Sequence, residues 1–179
     1  RDIRGRGLKA KGFDAIAECE RLGIAIDVSH LSDGGFWDVV RASHKPFMAT
    51  HSNARAVTDV PRNLSDEMIR ALADKGGVMG LNLCPAFLYD IPEGTREGDA
   101  ESRIADMVRH VEHIYKVGGE DVLAIGSDFD GIGGRLEIPS PDYFHLLFEA
   151  LERRGMALSV IDKMKEKNAL RVLHDTSAD

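Results

Sequence analysis

The sequence exchanges two hydrophobic periods in regular order, and few folds tolerate that. Stretches with apolar residues at helical spacing alternate with short, nearly unbroken apolar runs. Residues 8–22 carry Phe13, Ile16, Ala17 and Cys19 among Lys, Asp, Glu and Arg, and Gly23 ends the pattern. Residues 24–28 follow as an apolar run broken only by Asp27, which suits a strand buried on both faces of a parallel sheet. Ser32 then reads as an N-cap with Asp33 in the first turn, and Phe36, Val39 and Val40 form one helix face. Pro46 opens a second strand over residues 47–50. Ser65-Asp66-Glu67 starts a helix with Met68, Ile69 and Leu72 inward, closed by Gly76-Gly77 before a third strand at residues 78–83. Residues 84–99 read as a long loop. Ile104, Met107, Val108, Val111, Ile114 and Tyr115 mark the clearest helix, followed by a fourth strand at residues 122–126. Ser140-Pro141-Asp142 supplies an N-cap, a Pro at N1 and a first-turn acid for a helix carrying Phe144, Leu147, Phe148 and Leu151. Residues 159–173 are helical in composition, with an interruption near Asn168.

This alternation predicts an α/β chain with a parallel sheet, one domain over residues 1–179. Four strands suffice for a small open sheet, and equally for half of an eight-stranded barrel. The 179 residues fall short of the ~250 of a complete (β/α)8 barrel, and a start on a helix favours a chain cut inside a larger repeat. The formal charge of −7 offers no basic surplus for a nucleic-acid backbone, and no apolar run approaches the ~20 residues of a membrane helix. Cys19 and Cys84 read as reduced thiols. The chain opens Arg1-Asp2-Ile3-Arg4, with neither Met nor a charged-then-apolar leader, so a longer parent is expected.

Polar residues collect where the strands end. His30 follows the first strand, His51 the second and Asp128 the fourth, while the third passes through Asn82. Chemistry in parallel α/β folds gathers at the carboxyl ends of strands. Neighbouring strands lie ~4.8 Å apart, so two His at one level can meet on a single metal ion, with a carboxylate nearby to take a proton from water. Without a metal they are ordinary polar loop residues. Asp27, inside the first strand, either hydrogen-bonds a ligand His or satisfies backbone groups. Arg62, between Pro61 and Asn63, is either a surface residue or a fork for a carboxylate. Arg55 is read as structural or solvated, and Asp130 as a turn residue and second-choice acid. His44, His110, His113, His145 and His174 lie on helices or at their ends and read as solvated or structural.

Five strings in order resemble the membrane dipeptidase (renal dipeptidase, peptidase M19) family: Ile26-Asp27-Val28-Ser29-His30, Ser32-Asp33-Gly34-Gly35-Phe36-Trp37, Thr50-His51-Ser52-Asn53-Ala54-Arg55, Pro61-Arg62-Asn63 and Gly126-Ser127-Asp128-Phe129-Asp130-Gly131. The resemblance covers almost the whole chain. It implies a metal-dependent dipeptidase of the amidohydrolase-like barrel group, with two zinc ions in a complete active site and the strands here as the fifth to eighth. It makes His30 and His51 ligands of one zinc, Arg62 the group that binds the substrate carboxylate, and Asp128 the acid/base for the attacking water and the leaving amine. The family's His-x-Asp pair and bridging Glu belong to strands that precede this stretch. The expectation is therefore the C-terminal half of a dipeptidase, inactive alone and paired with an N-terminal half or with a second copy. The alternatives are a non-catalytic α/β fragment that binds another half-barrel, or a complete open-sheet domain with a small-molecule pocket. A dipeptide is the expected substrate and the cytoplasm the expected compartment.

Overall fold

The computed structural model describes residues 5–177. The opening residues 1–4, read above for a leader, and residues 178–179 lie outside the described residues. The α/β alternation is present throughout. Helix α1 (Ala10–Arg21) stops at Gly23, whose φ of +68° turns the chain so that the N–H groups of Gly23 and Ile24 return to Glu20 O and Cys19 O. The first expected strand is shorter than residues 24–28. It survives as a bridged segment in which Asp27 lies opposite Met48, with Met48 N–H donating to Ile26 O and Val28 N–H to Met48 O. The ladder stops there because the Asp27 carboxylate takes the next N–H groups, those of Ser29 and Thr50, at 3.0 Å each.

Helix α2 (Asp33–Ala42) is capped by the Ser32 hydroxyl, and strand β1 (Met48–Ala49) follows it. Helix α3 (Asp66–Asp74) is capped by Ser65 and leads into β2 (Val78–Asn82), which is buried along its whole length. The stretch read as a long loop contains a short helix, α4 (Pro85–Leu88), and a 3-10 turn, Glu97–Asp99. Beyond it β3 (Glu101–Ser102) pairs in parallel with β5 (Arg135–Leu136), a two-stranded sheet too short and too polar to show a strand period. Helix α5 (Ile104–Gly118) precedes β4 (Leu123–Ser127), which begins one residue later than expected because a 3-10 turn, Glu120–Val122, consumes Val122. Ser140 stands before a 3-10 turn, Pro141–Tyr143, without a side-chain capping bond, and α6 (Phe144–Arg153) starts after it. The C-terminal helix is interrupted ahead of Asn168, by a π-helical stretch, Lys163–Lys167, between α7 (Leu158–Asp162) and α8 (Asn168–Ser177). Asn168 itself opens α8, and its amide ties that helix to Glu120 O at 2.7 Å and Leu123 O at 2.8 Å.

The parallel sheet runs β1-β2-β4, with the 26–28 segment bridged to the free edge of β1. Side chains alternate across β2. Met79 and Leu81 join the main core with Ile69, Leu72, Met107, Val111 and Ile114 of α3 and α5. Val78 faces the other way and packs with Ala124, Val172 of α8 and Met48. Gly80 and Asn82 follow Val78 on that face. The Thr50 carbonyl presses on the sheet here: a Cβ at Gly80 would lie 2.1 Å from Thr50 O, and one at Gly126 only 2.0 Å from it. Only glycine admits that approach. Gly126→Ala is expected to cost at least about 3 kcal/mol in urea unfolding, through overpacking against backbone that cannot retreat. Gly133→Ala, where a Cβ meets nothing within 4 Å, should leave stability unchanged.

His110 belongs to this scaffold. It is fully buried, its Nδ1 accepts Ala54 N–H at 3.1 Å and its Nε2 lies 3.0 Å from Leu88 O. Burial pushes its pKa down to about 4, against the opposing pull of the Leu88 carbonyl. The unfolded chain protonates this ring near pH 6.5 and the folded chain does not. The stability His110 supports is therefore full above pH 6.5 and lost as pH falls toward 4, by up to about 3 kcal/mol. Denaturant titrations across that window should show the decline in the native chain and a flatter profile in His110→Gln.

Candidate active site

The parallel strands deliver their polar residues to one rim. His30 follows the bridged segment, His51 follows β1, Asn82 ends β2 and Asp128 follows β4. The Nε2 atoms of His30 and His51 stand 2.9 Å apart, with ring centroids at 4.9 Å. His51 N–H donates to Ser29 Oγ at 2.9 Å, and its Nδ1 lies 2.7 Å from Thr50 Oγ1. The Thr50 hydroxyl donates to Asp27 Oδ2 at 2.6 Å. Of the two readings the sequence left open, Asp27 takes the second: it binds backbone N–H groups, and it reaches His51 only through the Thr50 hydroxyl, not by a direct carboxylate–imidazole bond. Partial burial raises the Asp27 pKa, but the hydrogen bonds from Thr50 and Ser29 outweigh it and hold the carboxyl below its ordinary range. Burial holds His51 below the ordinary imidazole pKa despite Asp128 and Asp27, which favours the neutral ring that can ligate a metal.

Asp128 leaves β4 in the left-handed region (φ +70°, ψ +32°), directly after Ser127 at φ +24°. Two such residues in succession are costly for non-glycine side chains, and they aim the carboxylate across the rim. Asp128 Oδ2 accepts a hydrogen bond from Asn82 Nδ2 at 3.0 Å. Asn82 is fully buried, and its Oδ1 accepts Cys84 N–H at 2.7 Å, which decides which end of the amide carries the nitrogen.

The two arginines part company. Arg55 forks onto Asp33 with two bonds of 2.8 Å and donates to Asn63 O, a structural tie between the β1 exit loop and α2. Arg62 lies over the Phe87 ring at 5.3 Å and reaches His51 O at 3.4 Å. Its Nη1 is buried with no partner in the chain. Burial lowers its pKa, opposed by the charges of Asp128 and Asp27. Asn53 and Asn63, both fully buried, hold Phe87 O from below at 3.4 and 3.0 Å. Sequence reasoning passed over Thr50, Asn53 and Asn63 as site-builders. The available signal was their place inside the Thr50-His51-Ser52-Asn53 and Pro61-Arg62-Asn63 strings. His113 pairs with Asp66 at 2.7 Å, Asp130 is exposed, and His44, His145 and His174 are exposed as expected.

Two imidazole nitrogens 2.9 Å apart lie within reach of one ion bonded to each at about 2.0–2.1 Å. Among the described residues no group of three or more His, Cys, Asp and Glu side chains converges as a metal site, so these residues offer a partial donor set.

A parallel βα repeat with imidazoles, an amide and a carboxylate on successive strand ends is the architecture of barrel-type metal-dependent hydrolases. The sequence model for membrane dipeptidase (Peptidase family M19) matches residues 1–178, and the chain belongs to this family. It is 41% identical over 169 residues to an uncharacterised Klebsiella pneumoniae protein from the pqqA 5′ region, covering 94% of this chain and 61% of that one. It is 32% identical to an uncharacterised dipeptidase of Schizosaccharomyces pombe, covering 96% of this chain and 40% of the relative. A solved structure of a Rhodobacter sphaeroides metallopeptidase, liganded with a phosphinate mimic of the dipeptide L-Ala-D-Ala, superposes with a TM-score of 0.86 at 36% identity over 96% of this chain and 48% of that one. The chain spans about half the length of the proteins it matches.

Asn82→Leu removes the donor to Asp128 and the acceptor of Cys84 N–H while keeping the side-chain bulk. It is expected to cost about 2–3 kcal/mol in denaturant unfolding, through the unpaired groups it leaves.

Proposed function

We propose that these residues form the C-terminal half of the active site of a zinc-dependent dipeptidase. The observation that carries this reading is the meeting of His30 Nε2 and His51 Nε2 at 2.9 Å on adjacent strand ends, inside a family of dipeptidases. His30 and His51 would hold one of two zinc ions. Three protein ligands are usual for catalytic zinc, so the remaining ligands are assigned to the part of the barrel that the matched structures carry beyond the aligned half. An ion held there supplies Lewis acidity, polarising the substrate carbonyl and lowering the pKa of water. Arg62 binds the substrate's terminal carboxylate with the Nη1 that the chain leaves unpaired. Phe87 beneath the guanidinium and His51 O at its edge hold that donor in place. The Asp128 carboxylate, fixed by Asn82, accepts the proton of the attacking water and returns it to the leaving amine nitrogen. The phosphinate dipeptide mimic on the Rhodobacter relative supports a dipeptide as substrate class.

The 179 residues act with a second half of the barrel and are expected to show no dipeptidase activity alone. In a full-length protein containing them, Asp128→Asn should lower kcat by about 10²–10⁴-fold. Arg62→Lys should raise KM for free dipeptides about 10-fold or more, and make little difference with C-terminally amidated ones. Zinc-dependent turnover by the 179-residue chain would overturn the half-site reading. Equal cleavage of free and amidated dipeptides by the unaltered protein would remove Arg62 from its role.

A further inference from the structure

We propose that Thr50 is a positioning residue that sets the ring proton of His51, acting as a one-hydroxyl relay from Asp27. The argument is a count of protons and lone pairs. The Asp27 carboxylate can only accept. Its Oδ1 already accepts the N–H groups of Ser29 and Thr50 at 3.0 Å, and its Oδ2 lies 2.6 Å from Thr50 Oγ1, the length of a hydroxyl donating to a carboxylate. A threonine hydroxyl has one proton, and Asp27 takes it. The 2.7 Å contact between Thr50 Oγ1 and His51 Nδ1 then requires a proton from the ring. His51 therefore carries its hydrogen on Nδ1 and leaves Nε2 as a bare lone pair, directed at His30 Nε2. The other oxygen near Thr50 Oγ1, Ser29 Oγ, is a longer contact at 3.4 Å and can donate its own proton, whereas the carboxylate at 2.6 Å can only accept.

This assignment differs from the direct carboxylate–imidazole pair common around metal-ligating histidines. The charge stays one residue away, on the neighbouring strand, and the hydroxyl passes on only its orientation. Replacing Asp27 by Asn should therefore reverse the ring. Oδ1 of the amide would keep the two backbone N–H groups, its nitrogen would donate to Thr50 Oγ1, and the freed hydroxyl proton would turn toward His51 Nδ1. The hydrogen would then sit on Nε2, where it blocks a metal.

The metal consequence rests on the dipeptidase reading, whereas the proton assignment does not. The test is a two-bond 15N–1H correlation spectrum of the 179-residue chain at about pH 8.5, above the ordinary imidazole pKa of about 6.5. His51 should show a protonated Nδ1. His110, whose Nδ1 accepts Ala54 N–H, should show the opposite tautomer in the same spectrum. Asp27→Asn and Thr50→Val should move His51 toward the Nε2–H form and, in a full-length protein containing these residues, weaken zinc binding about 10–100-fold, while Thr50→Ser restores both. A wild-type His51 protonated at Nε2, or a tautomer unmoved by Asp27→Asn, would overturn the relay. If Thr50→Val does not fold, the wild-type and Asp27→Asn spectra still decide. The expected tautomers in the 179-residue chain, together with a full-length protein containing it that binds no zinc, would uphold the relay and count against the dipeptidase reading.

Discussion

Every polar atom of His51 is engaged, and the rest of the rim is assembled through those contacts. Its N–H goes to Ser29 Oγ, its Nδ1 to Thr50 and its Nε2 to His30. Its carbonyl receives both Arg62 Nη2 and Asn82 Nδ2 at 3.4 Å. Asn82 in turn holds Asp128, so each of the four residues expected to do chemistry is His51 or lies at most one residue removed from it. A strand of two residues, β1, would be a poor anchor by its ladder bonds alone. It serves because side chains from the segments on either side complete what the backbone ladder leaves unpaired.

Beneath the rim one face of the sheet leaves no room for side chains at Gly80 and Gly126. Val78, Ala124 and Met48 form an apolar floor under Val172, and above them Gly80 and Gly126 leave room only for the Thr50 carbonyl. The Thr50 carbonyl, directly after β1, thus lies against Gly126 of β4 as well as against Gly80 of β2, its hydrogen-bonded neighbour. His51 and Asp128 can then face one small volume although their strands are not adjacent in the sheet. Placing reacting groups within one such volume is the part of catalysis a scaffold can supply before any substrate arrives.

The legible part of this molecule was the part governed by period and polarity. Helix faces, the apolar runs and the strand-end position of His30, His51 and Asp128 follow from side-chain alternation and from the rule that chemistry gathers at strand ends. What stayed hidden depends on pairings between distant residues. Asn82 and Asn53 read as ordinary polar residues until their 29-residue separation in sequence closes into a 3.0 Å bond. Arg55 and Arg62 lie seven positions apart in one irregular stretch, and only the Asp33 fork shows that the first is committed and the second is open. The first strand was overestimated because hydrophobicity cannot reveal that an aspartate will take the N–H groups its ladder would have used. The β3–β5 pair has two residues in each strand and no apolar period to detect.

The distribution of unsatisfied groups carries the same division further. Among the described residues, the buried side-chain atoms without a partner are Ser52 Oγ, Arg62 Nη1 and Asn63 Oδ1, all in the stretch that leaves β1. Leaving a buried polar group unpaired costs about 1–3 kcal/mol, and more for a charged one. Other polar groups avoid that cost: His110 has both ring nitrogens bonded in the core, and Arg55, in the same exit stretch, places its fork on Asp33 and donates to Asn63 O. Arg62 Nη1 is left open near two converging imidazoles, and on the proposed reading a carboxylate would meet it there. Binding a carboxylate at Arg62 would return part of a desolvation cost already incurred on folding. On the proposed reading the open donor would then be a source of affinity as well as of selectivity.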